Sequence, residues 1–244
     1  MNKNHTTPLG EGGKQYHHLF FDLDHTLWDF EANARATLEE LFINLKLKER
    51  GVYDFDLFHK NYLVHNEKLW EHYRNGLVRQ DELRIKRMRL SLLDFKIADE
   101  SLAKEMSVRF LDLLPTRTIL FPYSKEILVY LMEKGYALHL ITNGFEHTQH
   151  SKLKYSGLSI FFKEVITSEG SNSLKPNKEI FDFALEKTRA SIDESIMIGD
   201  SIEVDIIGAM NVGMDQVFVN HYHITAEVRP TYTVNSLKEL EEIF

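Results

Sequence analysis

Two aspartates, Asp22 and Asp24, stand two residues apart in the run LFFDLDHTLWDF over 19–30. The residues ahead of them, Leu19 to Phe21, are apolar in the manner of a buried strand, and in an extended chain an i, i+2 spacing sends both side chains to one side. Carboxylates converging on one small, partly apolar volume repel unless a cation or a proton intervenes. Taken alone, such a pair also reads as a solvated strand end. A third carboxylate, Asp200, follows Gly199 at the end of a second apolar run, SIMIGD, and Asp205 lies five residues on. Three hard oxygen donors at strand ends, Asp22, Asp24 and Asp200, suit Mg2+.

Three further polar positions follow apolar runs. Thr142 ends YALHLIT and leads into Asn143 and Gly144, and Lys175 lies in the segment after EVITS. Singly these are a strand terminator, a turn and a surface lysine. Together a hydroxyl, the backbone amides at Asn143 and Gly144, and an ammonium make a cradle for a phosphate. Pro176 fits the first position of a helix and holds Lys175 extended.

The elements that must position these groups are strands alternating with helices. Buried parallel strands are expected over 17–22, 136–142, 164–168 and 195–200, with a shorter one over 216–220. Helices are expected over Ser124 to Lys134, Pro176 to Thr188 and Val204 to Val212, the last capped by Gly213. This pattern predicts an α/β fold with a Rossmann-like parallel sheet and helices on both faces. Residues 31–115 read otherwise, with apolar positions at helical spacing: Leu38, Leu41, Phe42 and Leu45, then Leu83, Met88, Leu92 and Phe95. They are expected to form a helical insert placed after the first strand, which the resemblance given below makes a cap domain over 31–115, so the core comprises 16–30 and 116–244. Residues 1–15 read as a polar, glycine-bearing arm expected to be mobile. Near the C-terminus, Ser236 and Glu239 have capping-box spacing.

A net charge of −8 argues against a protein that grips a nucleic acid polymer through its phosphates. A small anionic substrate stays open to it, since a metal ion and a lysine reverse the sign inside one cleft. The absence of cysteine excludes disulfides, thiolate zinc sites and cysteine nucleophiles. No apolar stretch approaches the roughly 20 residues that span a bilayer, and the first residues lack a secretory signal, so a cytoplasmic location is expected.

In order, DLDHT at 22–26, ITNG at 141–144, KPNKEIF at 175–181 and GDSIEVDIIGA at 199–209 resemble the four motifs of the haloacid dehalogenase-like superfamily. The segments LWEHYRNG, ITNGF, LKPNKEIFDFALE and PTYTVNSLKEL are similar to the house-cleaning pyrimidine 5'-nucleotidases within it. The resemblance implies a Mg2+-dependent phosphatase in which Asp22 attacks phosphorus and Asp24 protonates the leaving oxygen and later deprotonates water. It further implies that Mg2+ is bound by Asp22, Asp200 and the backbone carbonyl of Asp24. Thr142, Asn143 and Lys175 contact the phosphate, and Asp205 orients Lys175 or a metal-bound water. His25 stands where many members carry glycine. In the cap, Trp70, Tyr73, Arg74 and Arg87 are the residues expected to select a pyrimidine nucleotide such as dUMP or dTMP, although Trp70 and Tyr73 at i, i+3 also suit helix packing. A sugar-phosphate phosphatase, a phosphomutase and an inactive binding module are the competing readings.

Overall fold

The computed structural model describes residues 14–244, so the arm expected over 1–15 lies outside the described residues except for Lys14 and Gln15. Lys14 ion-pairs with Asp215 at 2.9 Å. The chain divides into two compact units, one made of residues up to 29 with 119–244, the other of 30–118.

The first unit is an α/β fold. Its strands are β1 (His18–Phe21), β2 (Ala137–Thr142), β3 (Glu164–Thr167), β4 (Ser195–Gly199), β5 (Asp215–Val219) and β6 (Tyr232–Val234). All pair in parallel, in the order β3-β2-β1-β4-β5-β6. Every residue of β2 and β4 is buried, as the continuous apolar runs require. Side chains alternate across the sheet. Phe20, Ile141, Ile166 and Met197 form a core layer with Ile180, Phe181 and Ala184 of α8 (Lys178–Thr188) and Ala209 of α9 (Ile207–Val212). The C-terminal segment packs against α5 (Ser124–Glu133), where Phe244 meets Tyr136 and Tyr16 edge to face. Strand order reverses at β1, with β2 on one side and β4 on the other, and such a reversal opens a crevice beyond the carboxyl ends of the strands.

Two local expectations are corrected. The helix after Lys175 begins at Lys178, not at Pro176; Pro176 follows a cis peptide bond and Asn177 is the N-cap. Ser236 and Glu239 do not form a reciprocal capping box. Their side chains bond each other at 2.9 Å while Glu239 also accepts from the Asn235 amide at 3.1 Å, and the element that follows is a 3-10 helix, Leu237–Glu242. The helix expected from Val204 begins within a π-helical turn, Ile202–Ile206, continues as α9 from Ile207 and is closed by Gly213 at φ +82°.

The second unit contains α1 (Phe30–Asn44), α2 (Phe55–Arg74), α3 (Gln80–Leu93) and α4 (Glu100–Leu113). Asp54 and Asp99 cap α2 and α4, accepting from Leu57 and Leu102 amides at 3.0 and 2.9 Å. Leu38, Leu41, Leu83, Met88 and Leu92 are fully buried within it.

Candidate active site

β1 ends at Phe21, and the next amide, that of Asp22, donates to the Ile198 carbonyl at 2.9 Å, which fixes Asp22 between β2 and β4. The chain then turns back tightly. His25 takes φ +66° and its amide donates to the Trp28 carbonyl at 2.9 Å. That left-handed backbone is the one glycine adopts without strain, so His25 holds a conformation uncommon for a non-glycine residue. The loop is held from outside by His221, whose Nε2 donates to the Thr26 carbonyl at 3.0 Å while its ring stacks on Phe121 at 3.9 Å.

Four polar groups converge past the strand ends. Carboxylate oxygens of Asp22, Asp200 and Asp205 all lie within 4.8 Å of one another. Lys175, 1% exposed, donates to Asp22 Oδ1 and Asp205 Oδ1, each at 2.6 Å, and to the Ile141 carbonyl at 2.7 Å. Asp205 also accepts from the Ser201 amide at 3.1 Å, and Asp200 accepts from Thr26 Oγ1 at 2.7 Å. Gly199 is required here, because a Cβ at this position would collide with the Asp205 carboxylate.

The electrostatics of this cluster are those of a site short of positive charge. Burial pushes the Asp22 carboxyl up to about 8, with Asp205 and Asp200 adding to the rise and Lys175 opposing it. Asp200 is pushed up to about 7, first by burial and then by the Asp205 charge, against the Thr26 hydrogen bond. Burial alone would lower Lys175, yet Asp205 and Asp22 outweigh it and hold the ammonium above its ordinary value. One lysine, bonded to two of three clustered carboxylates, leaves a deficit that a hard divalent cation fits.

Thr142 and Asn143 extend the site. Thr142 Oγ1 accepts from the Gly144 amide at 3.1 Å. Asn143 uses its side chain as a clamp on the backbone of Lys175, with Nδ2 donating to the Lys175 carbonyl at 2.8 Å and Oδ1 accepting from its amide at 2.7 Å. Its side chain therefore sets the position of Lys175.

The carboxylates of the two aspartates of the opening run meet different ammonium groups. Asp24 lies beyond the strand, and both its carboxylate oxygens meet Lys152 Nζ, at 2.6 and 2.8 Å. Gln149 Nε2 donates to Asp24 Oδ2 at 3.0 Å. Convergence on one point, expected from the i, i+2 spacing, is thus corrected: the extended conformation it assumes stops at Phe21. Lys152, Gln149 and Thr26 are the residues of the site that sequence reasoning missed. Gln149 and Lys152 stand on α6 (Glu146–Ser156), immediately after the Asn143-Gly144 turn, and their i, i+3 spacing on one face was the available signal.

The four cap candidates belong to the helical unit. Trp70 and Tyr73 meet edge to face at 5.6 Å and pack, partly buried, against Leu69, Val78 and Leu83. Arg74 is half-buried at the end of α2. Arg87 is 3% exposed, donates to Asn66 Oδ1 at 3.0 Å and lies over the Phe110 ring at 4.9 Å. Held in this way inside its unit, Arg87 is a packing residue, and its expected part in reading a base is withdrawn.

The comparisons with known proteins agree with this geometry. A family model described as haloacid dehalogenase-like hydrolase matches residues 16–213. The chain is 32% identical over 235 residues to the pyrimidine 5'-nucleotidase PynA of Streptococcus pneumoniae, covering 92% of this chain and 93% of that protein. It is 31% identical to the pyrimidine 5'-nucleotidase YjjG of Escherichia coli, covering 92% and 96%. The crystal structure of the HAD-hydrolase YfnB of Bacillus subtilis, bound to magnesium, superposes with a TM-score of 0.84 at 28% identity, covering 94% of this chain and 99% of that one. Among the described residues no helix is long and apolar enough to cross a membrane.

Proposed function

The chain belongs to the haloacid dehalogenase-like hydrolase family, and we propose that it is a phosphatase that hydrolyses phosphate monoesters through an aspartyl-phosphate on Asp22, acting on (deoxy)pyrimidine 5'-monophosphates such as dUMP and dTMP. The observation that carries this reading is the separation of the two carboxylates. Asp22 Oδ1 is fixed by Lys175, whereas Asp24 is held apart by its own lysine. One carboxylate is thereby oriented for attack and the other is kept for proton transfer.

Asp22 attacks phosphorus, the P–O bond to the leaving group breaks, and protonated Asp24 gives its proton to the departing oxygen. Asp24, now a base, takes a proton from water as that water attacks the aspartyl-phosphate. Inorganic phosphate leaves and Asp22 is restored. Lys175 and the Thr142 hydroxyl meet the nonbridging oxygens, and Asp205 and Asn143 keep Lys175 in place. Phosphoryl transfer asks a protein mainly for such positioning and charge stabilisation. Mg2+ would be held by the Asp22 and Asp200 carboxylates and the Asp24 carbonyl, and when bound supplies charge neutralisation to the transferring group.

The substrate class rests on the similarity to PynA and YjjG across nearly the full chain. The test is phosphate release from a panel of 5'-mononucleotides, sugar phosphates and p-nitrophenyl phosphate, with Mg2+ and with chelator. The highest kcat/KM is expected for dUMP and dTMP, with none in chelator. A preferred purine nucleotide or sugar phosphate overturns the substrate class, and an isomerised sugar phosphate without phosphate release overturns hydrolysis.

A further inference from the structure

Gln149 and Lys152, one turn apart on α6, are 0% and 3% exposed although one carries an amide and the other an ammonium. Burying such groups is unfavourable unless each is matched, and here the matches are specific. Lys152 Nζ contacts both Asp24 oxygens, at 2.6 and 2.8 Å, and sits 4.3 Å from the centroid of the Trp28 indole. A cation touching both oxygens sets the plane of the carboxylate as well as its place. Gln149 Nε2 serves two acceptors, Asp24 Oδ2 at 3.0 Å and Thr142 Oγ1 at 2.6 Å. Its Oε1 is buried with no hydrogen-bond partner, so the amide is turned to favour those two acceptors at the expense of its own oxygen. Room for it comes from Gly144, since a Cβ there would collide with the Gln149 side chain.

We propose that Gln149 and Lys152 are positioning residues for Asp24: they fix its carboxylate and tie it to the Thr142 hydroxyl, so that proton donor and phosphate contact keep one geometry. The inference rests on the reading of Asp24 as the group that protonates the leaving oxygen. α6 thus acts on the reaction through Asp24 and Thr142, without touching the phosphate itself.

The test uses full-length protein with Mg2+ and two esters: dUMP, whose leaving alkoxide needs a proton, and p-nitrophenyl phosphate, whose leaving phenolate does not. Lys152→Met is expected to lower kcat/KM on dUMP, which reports the steps up to departure of the leaving group, by about 100-fold, the scale of a general acid's contribution. The loss of kcat/KM on p-nitrophenyl phosphate should be smaller by about tenfold or more, whereas kcat, which includes hydrolysis of the aspartyl-phosphate, should fall on both. On an Asp24→Asn background, Lys152→Met should lower kcat by no more than about twofold, because residues acting as a unit are not additive. Gln149→Leu should give the same pattern with a smaller loss, and Lys152→Arg, which keeps the charge, should recover part of it; these two variants decide the matter should Lys152→Met not fold. Crystal structures of the variants should show the Asp24 carboxylate displaced. Equal losses of kcat/KM on both esters, additive losses with Asp24→Asn, or an undisplaced Asp24 overturn the proposal. Should wild-type protein release phosphate from neither ester, the proposed function fails, and the position of Asp24 in the variant structures still decides this inference.

Discussion

Replacing Lys175 with methionine removes the ammonium that joins Asp22, Asp205 and the Ile141 carbonyl and keeps nearly the same shape. At 1% exposure no water replaces it, and two carboxylates that each had a partner at 2.6 Å are left facing Asp200 without it. Breaking a buried pair by removing one member costs about 3–5 kcal/mol. For a chain of this size that corresponds to a fall in Tm of about 6–20 °C. The missing charge can be returned from solution: a divalent cation at about 100 times its Kd restores about 2.7 kcal/mol. The variant should therefore gain more Tm from Mg2+ than the wild type does, measured by differential scanning calorimetry with and without EDTA. Activity should not return with it. Lys175 Nζ aims Asp22 Oδ1, and loss of one such donor lowers kcat about 10²–10³-fold. A Tm within 2 °C of wild type in EDTA, to take a limit of about one-third of the smallest expected fall, would refute the view of Lys175 as the charge balance of the cluster.

Three other outcomes are expected. Asn143→Ala frees both backbone groups of Lys175, and two hydrogen bonds at about 1 kcal/mol each predict a fall in Tm of about 4–8 °C together with a lowered kcat; unaltered kcat would show that Lys175 is held without the clamp. His139 shares a hydrogen bond of 3.1 Å with His18, and burial, with His18 and Lys163 adding, pushes its imidazole down to about 4. The unfolded chain binds this proton near pH 6.5 and the folded chain does not, so stability is full above 6.5 and falls by about 3 kcal/mol as the pH drops towards 4. His139→Gln should flatten that acid limb in urea titrations at stepped pH, and an unchanged slope would exclude His139 as its source. Arg87→Ala should lower Tm by several degrees and reduce kcat/KM equally for dUMP and p-nitrophenyl phosphate, because Arg87 packs on Phe110 and Asn66; a loss confined to dUMP would return Arg87 to substrate selection.

Most of the core was legible because buried parallel strands read as unbroken apolar runs, and three of these runs lead into residues of the proposed site: Phe21 before Asp22, Ile141 before Thr142, Gly199 before Asp200. What stayed hidden was hidden for physical reasons. The buried face of α6 is polar, made of Gln149, Lys152 and Ser156 with Leu153, so a search for an apolar stripe passes over it. The π-helical turn at Ile202–Ile206 adds one residue to a helical turn and leaves no trace in composition. Arg87 falls at helical spacing among apolar residues of α3, and a charged residue in such a place is read as exposed until its partner Asn66, 21 residues away, is seen.

Neighbouring residues with the same side chain can hold opposite roles only if their surroundings differ, and the turn after β1 arranges this within three positions. Asp22 sits in a cluster where burial, and then the charges of Asp205 and Asp200, favour its acid form, so whatever cation enters there acts first on Asp22, Asp200 and Asp205. Asp24, swung out of the strand by a turn that His25 closes at φ +66°, meets Lys152 and Gln149 instead. A divalent ion bound among the first three carboxylates would then neutralise a nucleophile and leave the proton carrier's carboxylate to its own lysine. Had β1 run on through Asp24, the i, i+2 spacing would have placed both carboxylates on the same cation. The end of the strand at Phe21 is therefore as much a requirement of the proposed chemistry as either aspartate.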